Sequence, residues 1–164
     1  MRFSAATVQT RFDSPLGLVM VAAAHERLVG LWFEGQRHQP DAAAWPAAPQ
    51  HPVLQQARAQ LGEYFAGRRI AFDLPLDLSA GTGFQQAVWQ ALLAIPRGST
   101  CSYGGLSAAI GKPTAVRAVG GAVGRNPLSI IVPCHRVVGA DGALTGYAGG
   151  LTRKTTLLQL EGAL

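Results

Sequence analysis

The tetrapeptide Pro133-Cys134-His135-Arg136 stands between two strongly apolar stretches, Leu128 to Val132 and Val137-Val138. A fold that buries those flanks must also carry a thiol, an imidazole and a guanidinium into its interior. The flanking pattern predicts extended, buried chain rather than surface loop, with the proline holding φ at the entry. A buried cysteine can pack simply as a small hydrophobe. A cysteine with a histidine beside it is also what a sulfur nucleophile and its base require. On these four residues alone both readings stand.

A chain of 164 residues accommodates one unit or two small lobes sharing a core. Its longest apolar run, Leu16 to Ala24, is the length of a strand, so no membrane span is expected. Met1-Arg2-Phe3-Ser4 shows no apolar h-region, and a secretory signal is not expected either. Two cysteines, Cys101 and Cys134, cannot build a disulfide framework or a four-ligand zinc cage by themselves. His25, His38, His51 and His135 are scattered without metal-ligand spacing. The expectation is a reduced, cytoplasmic, metal-free protein.

Charge divides the chain. Residues 1–80 hold seven Lys/Arg and seven Asp/Glu, whereas residues 81–164 hold seven Lys/Arg against only Asp141 and Glu161. The net +5 therefore lies wholly in the half that carries Cys134. Such a half can bind a polyanion, or can simply present a solvated basic face.

Val8 to Phe12, Leu16 to Ala24 and Leu28 to Phe33 alternate like antiparallel strands, with turns at Asp13-Ser14-Pro15 and His25-Glu26-Arg27. Gln36 to Pro52 lacks periodicity and reads as loop. Leu54, Ala57, Leu61 and Phe65 share helical spacing over Val53 to Phe65, and Gly67 stops that helix. Phe72 to Leu78 is a short strand or an extended linker. Composition changes at Ser79-Ala80-Gly81, which places the lobe boundary between residues 1–80 and 81–164.

Thr82 and Gln85 form a capping box that opens a helix carrying Phe84, Val88, Leu92 and Ile95. Ser102 caps a short helix to Ile110, and Thr114 caps another running to about Gly124, with the turn Gly111-Lys112-Pro113 between them. Two short helices across a glycine-containing turn form a helix-turn-helix pattern. The second is nearly bare: Ala115, Ala118, Gly120, Gly121 and Ala122 leave Arg117 as its only long side chain. Interior glycines each cost a helix about 1 kcal/mol relative to alanine, so close packing or close approach to a ligand is implied. Gly139 to Gly142 reads as a hairpin turn, Tyr147 to Gly150 as a flexible stretch, and Leu151 to Leu160 as a last helix ending at Glu161.

In several separate motifs the second lobe resembles the methylated-DNA–protein-cysteine methyltransferases, the O6-alkylguanine-DNA alkyltransferases. These are Ser102-Tyr103-Gly104, Arg117 to Ala122, Asn126-Pro127, Ile131 to Val138, Tyr147 with Gly149-Gly150, and Leu160-Glu161-Gly162. The first lobe is similar only in size and strand-helix pattern. The resemblance implies an α+β protein, with an RNase H-like first lobe joined to a winged helix-turn-helix lobe holding the active site.

It implies single-turnover alkyl transfer from O6-alkylguanine in double-stranded DNA, and from O4-methylthymine, to Cys134, by a monomer without cofactor. Carried over by the resemblance, His135 acts on Cys134 through a water, Glu161 orients His135, and Asn126 holds the backbone turn. Tyr103 would donate to the purine. The flipped base would leave a gap filled by Arg117, with Thr114, Ala115, Ala118, Gly121, Arg125 and Arg136 also meeting DNA. Val137, Ser129, Tyr147, Ala148 and Gly149 would line the pocket with Tyr103. Relatives with a first-lobe zinc site use cysteine ligands there, and this chain has no cysteine before Cys101. The alternatives are a cysteine-independent binder of alkylated DNA and a Cys-His hydrolase. Cys134 counts against the first, and the absence of an oxyanion motif against the second.

Overall fold

In the computed structural model, which describes residues 1–164, alternation in the first third becomes an antiparallel meander. Strands β1 (Val8–Ser14), β2 (Gly17–Ala24) and β3 (Arg27–Phe33) lie in that order. Phe12 faces Val19 across β1–β2, and Val21 faces Leu31 across β2–β3, with a register shift at Ala22/Ala23. The sheet is covered on both faces. Helix α1 (Pro52–Phe65) brings Val53, Leu54, Ala57, Leu61 and Tyr64 into the core with Val19, Val21 and Leu31. On the other face Phe3 and Trp45 pack on Trp32, Met20 and Ala22. A Cβ on Gly30 would collide with the Trp32 ring, so glycine there makes room for tryptophan. Gly67, at φ +75°, ends the turn after α1 in the left-handed conformation.

Helix α2 (Gly83–Leu93) begins with the expected capping box between Thr82 and Gln85. The two-residue strand β4 (Cys101–Ser102) leads into α3 (Tyr103–Ala109), which Ser102 caps through the Gly105 amide. Helix α4 (Val116–Gly124) follows, and β5 (Val137–Val138) pairs with β4 in parallel. Helix α5 (Leu151–Leu160) closes the chain, with Glu161 as its C-cap. Val88, Trp89 and Leu92 of α2 pack with Leu106, Val119 and Val123 of α3 and α4, and the Trp89 indole donates to the Ala122 carbonyl at 2.8 Å. No helix is long and apolar enough to cross a membrane.

The larger of two apolar clusters runs through both lobes, from Phe12 to Leu157. Two segments also satisfy the outer edge of β3. Leu28 donates to Pro75 O and its carbonyl accepts from Asp77, so Phe72 to Leu78 is a linker that bridges briefly at Leu76. Leu31 donates to Pro127 O and accepts from Ser129, which ties the approach to Cys134 onto the first-lobe sheet. A paired edge strand cannot recruit another chain.

Two local expectations are corrected. Thr114 is not a cap: Ala115 occupies the N-cap of α4 and no side chain bonds there. The turn after Gly139 does form, closed by Gly139 N–H to Ala143 O at 2.9 Å, but no strand returns from it.

Candidate active site around Cys134

Leu128 to Arg136 is buried throughout, yet it is not extended. Ile130 sits at φ +72°, a left-handed conformation that a β-branched residue resists. Ile131 and Cys134 each bond the carbonyl two residues back at 2.8 Å, and Cys134–Arg136 winds into a single 3-10 turn. Asn126 holds this coil from inside. Its amide donates to Val132 O at 2.7 Å and to Leu128 O at 3.4 Å, while its side-chain oxygen accepts from Leu128 N–H at 3.0 Å. Buried backbone groups that no sheet satisfies thus find partners in one fully used side chain. Hydropathy reported the burial correctly. Its strand inference failed because apolar runs bury equally well in coils.

Beyond His135, the Glu161 carboxylate accepts four hydrogen bonds. Its Oε1 takes His135 Nε2 at 2.7 Å, Tyr64 Oη at 2.8 Å and Arg136 Nη2 at 2.9 Å, and its Oε2 takes Arg136 Nε at 2.9 Å. Burial alone would raise its pKa, but the bonds from His135 and Arg136 prevail and hold it down at about 2. An ionised carboxylate only accepts, so Nε2 of His135 carries the proton and Nδ1 presents a lone pair. That Nδ1 is buried and has no partner. Burial lowers the His135 pKa against the pull of Glu161, which favours the neutral ring. Burial pushes the Cys134 thiol up to about 11, opposed by Asn126 and the Lys154 charge. The resting sulfur is a thiol, and a base must take its proton during any attack.

Cys134 lies at the wall of a cavity of about 270 Å³. Tyr103, Tyr147, Ala148 and Gly146 line it with Gly120, Gly121, Val123 and Gly124 of α4, and with Arg125. Tyr103 donates to Thr145 O at 3.3 Å. Burial raises its pKa and keeps the phenol neutral. The Tyr147 hydroxyl is buried without a partner. The glycines of α4 open that helix toward the cavity: a Cβ on Gly120 would meet nothing closer than the Tyr103 ring at 3.8 Å.

Three residues here escaped the sequence reading. Arg37 and His38 reach the cavity from the first lobe, out of a loop whose lack of periodicity gave no signal. Lys154 is wholly buried, and its ammonium donates to the carbonyls of Val137, Thr145 and Gly146. It thereby ties β5 to the segment bordering the cavity. Arg153 beside it points elsewhere, over the Phe33 ring, and nothing local distinguishes the two.

Four expected positions are corrected. Arg136 is buried and committed to Glu161 and to the Ile95 carbonyl, so it cannot meet DNA. Ser129 is buried behind the cavity and donates to Gln36 Oε1 at 3.3 Å. Val137 backs the cavity and does not line it. Gly149 is one layer removed as well, because a Cβ there would strike the Tyr147 ring at 2.6 Å and Phe33 at 3.0 Å. Thr114, Arg117, Ala118 and Arg125 are exposed, with Ala115 and Gly121 partly so. Together they follow one helical face beside the cavity.

The charge asymmetry is correspondingly smaller at the surface. Among the seven second-half cations, Arg136 and Lys154 are buried, Arg153 stacks on Phe33, and Arg97 lies over the Tyr64 ring. Lys112, Arg117 and Arg125 remain exposed, around α3 and α4, and Arg37 adds to them at the cavity mouth.

Residues 7–78 match the family model described as 6-O-methylguanine DNA methyltransferase, ribonuclease-like domain, and residues 83–163 match that of its DNA binding domain. The chain is 50% identical over 149 residues to a methylated-DNA–protein-cysteine methyltransferase of Mycobacterium leprae, covering 91% of this chain and 88% of the relative. It is 47% identical over 159 residues to the constitutive one of Bacillus subtilis, covering 93% of each. The fold superposes on the crystal structure of Mycobacterium tuberculosis OGT in complex with DNA with a TM-score of 0.87 and 48% identity. That match covers 93% of this chain and 91% of the other.

Proposed function

The chain belongs to the 6-O-methylguanine DNA methyltransferase family, and we propose from that premise how its residues repair DNA. The protein removes the alkyl group from O6-alkylguanine in duplex DNA, with O4-methylthymine as a minor substrate, and keeps it on Cys134. The observation that carries this reading is a cysteine on the cavity wall followed directly by a histidine whose Nδ1 is buried and free, while Nε2 is bound to an ionised carboxylate.

Cys134 Sγ attacks the alkyl carbon, an S–C bond forms, and the C–O6 bond breaks. The thiol proton passes to His135 Nδ1, through a bridging water, and Glu161 stabilises the resulting imidazolium. Guanine leaves with the bond electrons, and Tyr103 supplies a neutral hydrogen bond as negative charge grows on the ring. The thioether product carries no exchangeable bond, so each molecule acts once and draws on no methyl-donor cofactor.

A stacked guanine cannot reach a sulfur at a cavity wall, so the base must be turned out of the duplex. Arg117, on the exposed face of α4, takes the vacated space. Thr114, Ala115, Ala118, Gly121 and Arg125 meet the backbone and groove around it. Residues 1–80 and 81–164 act as the two lobes of one monomer in the cytoplasm.

Intact-protein mass spectrometry after incubation with duplex O6-methylguanine tests the proposal. The expected result is one added methyl per molecule, mapped to Cys134, and none on Cys134→Ser, which still binds duplex. An alkoxide forms far less readily than a thiolate at neutral pH. Methylation of the serine variant, or several turnovers per molecule, would overturn it.

A further inference from the structure

We infer that Tyr64, a residue of the first lobe, is a positioning residue of the alkyl-transfer relay, acting on His135 through the carboxylate oxygen they share. The inference rests on the alkyl-transfer reading above. Tyr64 ends α1, far from the cavity in sequence, and is almost wholly buried. Its ring is wedged by Phe65 and Phe72 and lies under the Arg97 guanidinium, which itself donates to Leu160 O at 3.1 Å. From that fixed seat the hydroxyl donates to Glu161 Oε1 at 2.8 Å, the same oxygen that accepts from His135 Nε2 at 2.7 Å.

Two consequences follow from one shared acceptor. First, Oε1 cannot swing away from the imidazole without breaking a bond to the first lobe, so the ring orientation depends on α1. Second, a donor on Oε1 draws negative charge from it and weakens its pull on the imidazolium. Tyr64 therefore holds His135 ready to accept a proton, without letting the carboxylate keep it charged beforehand. His135 also faces Arg136 and Lys154; Glu161 faces Arg136; and Arg97 lies over Tyr64. These groups are unchanged when only the phenol oxygen is removed.

Tyr64→Phe isolates that oxygen, because it keeps the ring and its packing. Loss of the donor makes Glu161 more basic and raises the His135 pKa, so the acid limb of the rate–pH profile must move to higher pH. We expect a shift of about half a pH unit in single-turnover methyl transfer from duplex O6-methylguanine, with a loss of about three- to tenfold at neutral pH. Phe65→Leu loosens the same packing without touching Glu161, and its acid limb should stay where the wild-type limb lies. An acid limb unmoved in Tyr64→Phe, or moved equally in both variants, would overturn the inference. Failure of the wild-type protein to accept a methyl group would instead sink the alkyl-transfer reading itself.

Discussion

Met20, Val21 and Ala22 of β2 and Cys134, His135 and Arg136 of the 3-10 turn are all withdrawn from solvent, but different forces keep them there. In the sheet, apolar side chains pack on both faces and the backbone satisfies itself through the β ladder. Around Cys134 the backbone is irregular, and its polar groups rely on single side chains, chiefly Asn126 and Lys154. The buried charges of Arg136, Lys154 and Glu161, and the buried neutral ring of His135, all lie in this second region. A hydrophobic core is non-directional and tolerates exchange of similar volumes. A buried donor-acceptor cluster tolerates little, because a lost partner leaves another group unsatisfied. The Cys134 cluster is thus the specific part of the molecule, and the sheet is the platform to which it is laced.

The strongest challenge to this contrast is removal of its central member. Glu161→Ala leaves Arg136 buried without its carboxylate, and should cost about 3–5 kcal/mol. Leu54→Ala, in the sheet-facing core, should cost about 2–5 kcal/mol by opening a cavity. Cost therefore does not separate the regions, but pH does. Glu161 has a folded pKa of about 2, below its ordinary value. Its contribution is present above the ordinary carboxylate range and vanishes as pH falls toward 2. His135, held neutral by burial, adds loss in the same direction once pH drops below about 6.5, where the unfolded ring gains its proton. Denaturant unfolding from neutral to acid pH should narrow the gap between wild type and Glu161→Ala, and leave the Leu54→Ala gap unchanged. Parallel narrowing in both would break the comparison.

Arg117 sharpens it from outside, since an exposed residue belongs to neither core. If Arg117 replaces the extruded base, Arg117→Ala should react almost normally with free O6-benzylguanine. With duplex O6-methylguanine it should slow on the order of tenfold for each 1.4 kcal/mol of flipping energy lost. Single-turnover rates at saturating protein decide the matter: full recovery of the duplex rate would make Arg117 an electrostatic anchor only. A smaller effect is expected at Gly149, where the two regions touch. Gly149→Ala presses a methyl on Tyr147 and Phe33. It should cost about 1–3 kcal/mol and slow O6-benzylguanine more than O6-methylguanine by displacing Tyr147. Unchanged melting and equal rates would show that the Tyr147 segment yields freely.

Much of this was legible beforehand where the signal is local. The strands, α1, the Thr82 capping box, the Ser102 cap and the Glu161 terminus of α5 follow from periodicity and end chemistry that act within a few residues. Cys134, His135, Asn126 and Tyr103 stood out through residue type and motif order. Arg136 did not read correctly, because an arginine's partner is invisible in sequence and a basic half makes every cation look available. Motif order alone puts Ser129 and Gly149 one layer too near the cavity for a related reason: adjacency along the chain says nothing about which side of a coil faces in.

The sequence by itself determined which segments are buried, where helices start and stop, and which residue types can do nucleophilic chemistry. Each of these depends on short-range sterics and hydropathy. Only the tertiary structure decided that the run before Cys134 is coiled, that Arg136 is consumed internally, and that Arg37 and His38 join the cavity. It alone brought Tyr64 to Glu161. Those outcomes depend on pairings between residues distant in the chain, such as Leu31 with Pro127 and Tyr64 with Glu161. Pairings of that kind are selected by the whole packing and leave no periodic trace in either partner's own neighbourhood.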